Sequence, residues 1–295
     1  RPWCSRTNQR STAGAIQSRC DSKIRCCTTG FAVKAMKHSV ANGEATSLAA
    51  LTRMPDYGAR VIDILPVIGD ADSTESVVAL FRAAVAGLGA DAGVFMSYLR
   101  DDATRASYRS LLACDPVWGS EYARQGWFEH DPWLRHATHE TEPVRSSELK
   151  LVSADEAAFA AASAAFGFAS AVIAPAPTCV GLSRVGVLCL GSQHADFFDN
   201  EGYAKVRVLA RALAMELHRW MLQAIRQELL AKSRLTAADI ELLRHEEAGH
   251  SSKVIGLELN IEAKTVDCRF QRVSAKLEAP DRRTAVRIAR LYGIL

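Results

Sequence analysis

The pattern of the chain changes near Lys232-Ser233-Arg234: everything after it is patterned for short helices, with no strand signal. This switch constrains the fold more than any other feature of the chain. Upstream of it, GVFMSYLR (93–100), ASYRSLLA (106–113), FASAVIAP (168–175) and RVGVLCLG (184–191) read as strands, the first two joined by DDAT as a hairpin. Ser73 to Ala86, Asp155 to Ala165 and Asn200 to Leu229 have helical spacing, the last with Val206, Leu209, Leu213, Leu217 and Met221 along one stripe. Helices on both sides of a small, mainly antiparallel sheet make an α/β/α sandwich, and the four short helical segments downstream make a separate all-α domain. The expected class is α+β, with the sandwich over 56–229, a linker over 230–234 and the helical domain over 235–295.

Charge separates a third piece. Residues 1–42 carry eight Lys or Arg against one Asp, so the rest of the chain sums to about −4. This opening has no helical or strand periodicity and lacks the continuous apolar core of a secretory signal. Its cysteines, Cys4, Cys20, Cys26 and Cys27, do not form the C-x2-C pairs of a metal knuckle. Residues 1–55 are expected to be a disordered extension, or in part a start-site artefact with Met36 as the initiator. Cys114, Cys179, Cys189 and Cys268 sit singly, as reduced thiols do in a cytoplasmic protein. No apolar run reaches the roughly 18 residues that a membrane span requires.

The helical tail has its own punctuation. Thr236 with Asp239 makes a capping box for a helix that stops at Gly249, and Ser251 caps a second that turns at Asn260. A third runs from near Glu262 to Leu277, with Val266, Phe270, Val273 and Leu277 as its buried stripe. Lys264, Asp267, Cys268, Gln271, Arg272 and Ala275 then lie on the outer half. A helix pair joined by a short turn, polar on the outside of its second member, suits the DNA major groove. A bundle that binds protein or only dimerises is the alternative.

LTAADIELLRHEEAGHSSKVIGLELNIEAKTVDCRFQRVSAKL (235–277) resembles the LuxR-type helix-turn-helix. The resemblance implies binding to double-stranded promoter DNA, with Asp267, Cys268 and Gln271 facing bases and Lys264, Thr265, Arg269 and Arg272 approaching phosphates. Val254 stands where the family usually has Glu, and Asp267 would bring a carboxylate towards the phosphates.

The stretch VWGSEYARQGWFEHDPW (117–133) packs three tryptophans, a tyrosine and a phenylalanine into seventeen positions, in a chain only 7% aromatic. If 118–126 is helical, Trp118 and Tyr122 share a face, and Asp131-Pro132 starts the next helix, Trp133 to His139. Two readings fit: the aromatics fill core while Asp131 caps a helix, or the group walls a pocket around one carboxylate. Trp-x3-Tyr with Asp-Pro thirteen residues beyond the Trp, then Pro143-Val144 and FGFASAVIAP, is similar to the autoinducer-binding domain of LuxR-type quorum-sensing regulators. That implies an N-acyl homoserine lactone as effector and no cofactor. Trp118 would donate to the lactone carbonyl, Asp131 would accept the amide N–H, Tyr122 would pack beside the acyl group, and Trp133 belongs to the same set. Departures cluster around the acyl chain. Cys114 replaces a usual Tyr, Ser146 a Trp, Ala171 a Gly, and Cys189 a Ser or Thr. A solo regulator answering to another ligand or to none, or a partner in nonfunctional heterodimers, stays open.

The resemblance further implies a homodimer, with the 200–229 helix contributing, and possible contact with RNA polymerase. No enzyme is expected: GLSRVG (181–186) is not a G-x-S-x-G elbow. HEEAGH (245–250) is not the H-E-x-x-H of a zinc protease, because its histidines lie five apart rather than four, on different helical faces, and they read as solvated side chains at a helix end. His130, His136 and His139 read as solvated side chains of a helix rather than as metal ligands.

Overall fold

The computed structural model describes residues 47–100, 106–178 and 184–295. Residues 1–46, the DDAT turn, Cys179 and the first half of GLSRVG lie outside them.

The sheet is wholly antiparallel. Its order is β2-β1-β5-β4-β3, from β1 (Ala92–Arg100), β2 (Ala106–Leu112), β3 (Val144–Arg145), β4 (Ser170–Pro177) and β5 (Arg184–Ser192). Side chains alternate across it with period two. Phe95, paired with Leu111 and Leu188, points to one face with Val172, Ala174 and Leu190. Val94, paired with Cys189, points to the other with Met96, Tyr98, Ala171 and Ile173.

The first face is covered by α1 (Leu48–Arg53), α2 (Ala59–Ile68), α3 (Thr74–Gly87) and α7 (Tyr203–Ser233). Leu48 is buried, so the expected extension gives way to packed core by α1. The second face is covered by α4 (Val117–Gln125), α5 (Pro132–His139) and α6 (Ala154–Ala164). Ser73 and Ser153 accept backbone N–H bonds as the N-caps of α3 and α6.

α7 is 31 residues long and runs through most of the expected linker, ending where Arg234 turns left-handed (φ 52°). Three residues, Arg234 to Thr236, separate α7 from the next helix. On the α1–α3 side of the sheet, the buried Arg184 donates to Ser97 at 3.1 Å, while Thr178 contacts His218 of α7 at 3.0 Å. Burial, reinforced by the Arg184 charge, pushes His218 down to about 4.

Four helices follow: α8 (Ala237–Glu247), α9 (Ser252–Glu258), α10 (Ala263–Lys276) and α11 (Arg282–Leu291). Thr236 and Asp239 form the capping box, and Lys276 ion-pairs with Asp239 at 2.6 Å, tying α10 to the start of α8. Val266, Phe270, Val273 and Leu277 are buried in one core with Leu242, Leu243 and Ile255. No helix among the described residues is long and apolar enough to cross a membrane.

Candidate functional site

The aromatic stretch folds as two short helices joined by a 3-10 turn at Trp127–Glu129. Gly126 makes the junction in the left-handed region (φ 64°), where a Cβ would strain the backbone. One turn apart on α4, Trp118 and Tyr122 stack with centroids at 4.8 Å, and both are buried. Asp131 then caps α5: its Oδ1 accepts the N–H of Trp133 at 2.8 Å and of Leu134 at 3.1 Å. Its Oδ2 accepts the Tyr122 hydroxyl at 2.8 Å. The helix-capping reading of Asp131 therefore holds for one oxygen, while the other oxygen faces the packed aromatic cluster.

Electrostatics set this carboxylate apart. Burial pushes Asp131 up to about 6, against the lowering effect of its three hydrogen bonds. Cys189, at the same face, is held well above the usual thiol range by burial and then by the Asp131 charge. Trp118 shows a complementary defect. Its indole Nε1 is buried and has no hydrogen-bond partner. A buried donor without an acceptor costs about 1–3 kcal/mol. The cluster thus sets an unpartnered buried donor near a buried, poorly solvated carboxylate.

Phe159 of α6 was not singled out in the sequence, yet it closes the cluster. It lies edge-on to Tyr122, Trp127 and Trp133, with centroids at 6.1, 5.5 and 4.9 Å. Phe168 also meets Trp118 and Trp133, at 6.0 and 5.5 Å. The helix is pinned by Arg135 of α5, which makes two hydrogen bonds to Glu156, at 2.7 and 3.1 Å. The only sequence signal for Phe159 was its isolation as one large residue in an alanine-rich helix.

The departing positions are spread out. Cys114 is half-buried at the edge of the cluster, and burial pushes its thiol up to about 12. Ser146 accepts the Ala171 N–H at 2.9 Å and so serves the sheet edge. Among the histidines, His136 contacts the Glu142 carbonyl and His139 the Arg135 carbonyl, so they face different partners.

In the helical tail, Lys264, Thr265, Asp267, Cys268, Arg269, Gln271 and Arg272 are all exposed on α10. Asp267 differs from the rest because it accepts from Ser252 of α9 at 2.6 Å and lies 3.8 Å from Arg282. It therefore bridges helices as well as facing outward. The His245/His250 expectation is corrected. α8 ends at Glu247, and Gly249 (φ 79°) reverses the chain, so helical phase no longer separates the two rings. Their Nδ1 atoms come within 3.1 Å.

Comparison with known proteins places these features. The autoinducer binding domain family matches residues 73–221, and the luxR family of bacterial regulatory proteins matches residues 233–289. A crystal structure of Escherichia coli SdiA is similar in fold, with a TM-score of 0.64 at 16% identity, covering 81% of this chain and 99% of that one. SdiA in complex with octanoyl-rac-glycerol gives 0.59 at 17% identity, covering 82% and 98%. No curated protein sequence matches. Two family matches in this order, over the fold described, establish that the chain belongs to the LuxR family of bacterial regulatory proteins, non-enzymatic transcription regulators that join an autoinducer-binding domain to a DNA-binding helix-turn-helix.

Proposed function

We propose that the aromatic cluster binds an N-acyl homoserine lactone and that the chain then binds promoter DNA as a dimer through α10. The observation that carries the first part is the buried, partnerless Trp118 Nε1 beside the Tyr122–Asp131 pair. The ligand carbonyl would accept from Trp118, its amide N–H would donate to Asp131 Oδ2, and its acyl chain would lie against Phe159 and Met96. Filling both polar demands while adding apolar contact makes the ligand part of the core, so binding raises stability by mass action. Cys114 and Cys189, where relatives carry hydroxyls, favour an acyl chain bare of polar groups. An acyl glycerol, such as the one seen with SdiA, offers hydroxyl donors in place of the amide.

Thermal unfolding of the full chain with lactones of increasing acyl length tests this. The melting temperature is expected to rise with a dependence on acyl length. Trp118→Phe, which keeps the stacked ring but leaves the ligand carbonyl unpaired, is expected to weaken affinity about 5- to 100-fold. A shift with octanoyl glycerol and with no lactone would replace the ligand class. Indifference to all of them would remove the proposal.

For the dimer, support comes from α7. Val208 and Met215 are 60% and 42% exposed, and with Leu222 they recur every seven residues along its outer side. For DNA, the exposed Lys264, Arg269 and Arg272 give α10 a cationic outer face. Arg272→Ala is expected to reduce the slope of log affinity against log salt by about one, across specific and nonspecific DNA alike. An unchanged slope would take Arg272 off the phosphate backbone.

A further inference from the structure

We propose that His245, His250 and Glu258 form a binding site for a divalent first-row transition ion of the zinc class, at the corner between α8 and α9. Three donors from three local elements converge there. His245 lies in the last turns of α8, His250 follows the left-handed turn at Gly249, and Glu258 ends α9. The turn is closed by the His250 N–H donating to the His245 carbonyl at 3.0 Å. Nδ1 of His245 is 3.1 Å from Nδ1 of His250 and 3.0 Å from Glu258 Oε2, and the third edge of the triangle is 3.6 Å.

These edges match a metal site. Zinc bonds of roughly 2.0–2.1 Å to imidazole nitrogen and carboxylate oxygen place tetrahedral donors about 3.3 Å apart. Two imidazoles and one carboxylate are also the donor set that such ions take, leaving one position for water or a further ligand. The side chains of His245, His250 and Glu258 are 17%, 37% and 47% exposed, so an ion reaches them without opening the core.

Proton counting points the same way. His245 Nδ1 stands within hydrogen-bond distance of two acceptors, the His250 nitrogen and the Glu258 oxygen. A neutral imidazole carries one N–H, which points at only one of them. A cation at the centre satisfies all three lone pairs at once. Bound there, it would tie the end of α8 to the end of α9, the helix pair that carries α10. Helical spacing argues against HEEAGH as a ligand set only while the helix continues, and it stops before His250.

The test is calorimetric titration of the full chain with Zn²⁺, with Mg²⁺ as the hard-cation control. The chain has eight cysteines that bid for the same ion, so Co²⁺ absorption provides the second readout. The expected result is one site per chain whose Co²⁺ spectrum lacks thiolate charge transfer. His250→Ala, at a half-buried position, and Glu258→Gln, at an exposed one, are expected to weaken it by at least about ten-fold while leaving far-UV circular dichroism unchanged. Zn²⁺ is also expected to raise the melting temperature of the wild type and not of these variants. Affinity unchanged in His250→Ala, a thiolate spectrum, or no saturable binding would each overturn the proposal.

Discussion

Asp131→Asn is expected to stabilise the ligand-free protein at pH 7 by about 2–3 kcal/mol while abolishing its response to acyl lactones. Burial raises the Asp131 pKa from 3.8 to about 6, and each unit corresponds to about 1.4 kcal/mol. Because the folded state holds this proton more tightly, the stabilising contribution is complete below about pH 4 and is lost as pH rises through about 6. Asn keeps the oxygen that caps α5 and offers an amide to the Tyr122 hydroxyl, without a charge to desolvate. The advantage of the variant should therefore vanish near pH 4 and be complete by about pH 7.

His218 has the opposite sign. Its pKa falls from 6.5 to about 4, so its contribution is present above 6.5 and is lost as pH falls towards 4. The two effects, each about 3 kcal/mol at most, overlap and offset one another in the whole protein. Only the difference between variant and wild type, from urea unfolding at several pH values, isolates Asp131. A difference that does not change with pH, or a variant less stable at neutral pH, would contradict this reading of the site.

Phe159→Ala is expected to cost about 3–5 kcal/mol, a large share of the stability of an ordinary domain. The ring is fully buried and meets Tyr122, Trp127 and Trp133 edge-on, so its removal leaves three aromatics without a shared neighbour. The space opens beside the proposed acyl site. The preferred acyl chain should accordingly lengthen, and saturating long-chain lactone should recover part of the lost melting temperature. Equal losses with every ligand would place the acyl chain elsewhere. A cost below about 1 kcal/mol would mean that the cluster closes on itself.

Much of this was legible in the sequence because it is local. Alternating apolar residues located four strands within about two residues, and the pairings of Phe95 and Val94 bear out the two faces that alternation implies. Thr236, Ser251 and Ser73 gave away helix starts because a capping side chain acts within three residues. Where tertiary contacts decide, the sequence was less informative. Strand β3 is two residues long and exists through its pairing with β4. Helix α2 contains Pro66, which local propensity reads as a stop. α7 continues to Ser233 because Leu229 and Leu230 pack on the helical domain's core.

The site shows the same division. Spacing placed Trp118 over Tyr122 and put Asp131 at a helix start. The Tyr122–Asp131 hydrogen bond and the partnerless indole depend on how three separate helices dock. Phe159 enters the cluster only through that docking, held by the Arg135–Glu156 pair. His245 and His250 were misread for a related reason, because a wheel projection assumes a helix that Gly249 ends.

In the proposed function Asp131 is a buried carboxylate that takes a further donor from the ligand. Calorimetry of lactone binding in buffers of different ionisation enthalpy tests it most directly. If the ligand amide donates to the carboxylate, binding lowers the Asp131 pKa. Near pH 6 about half a proton per site should then be released, falling towards none by about pH 8, with none from Asp131→Asn. Binding without proton release, or equal release from wild type and variant, would contradict the account.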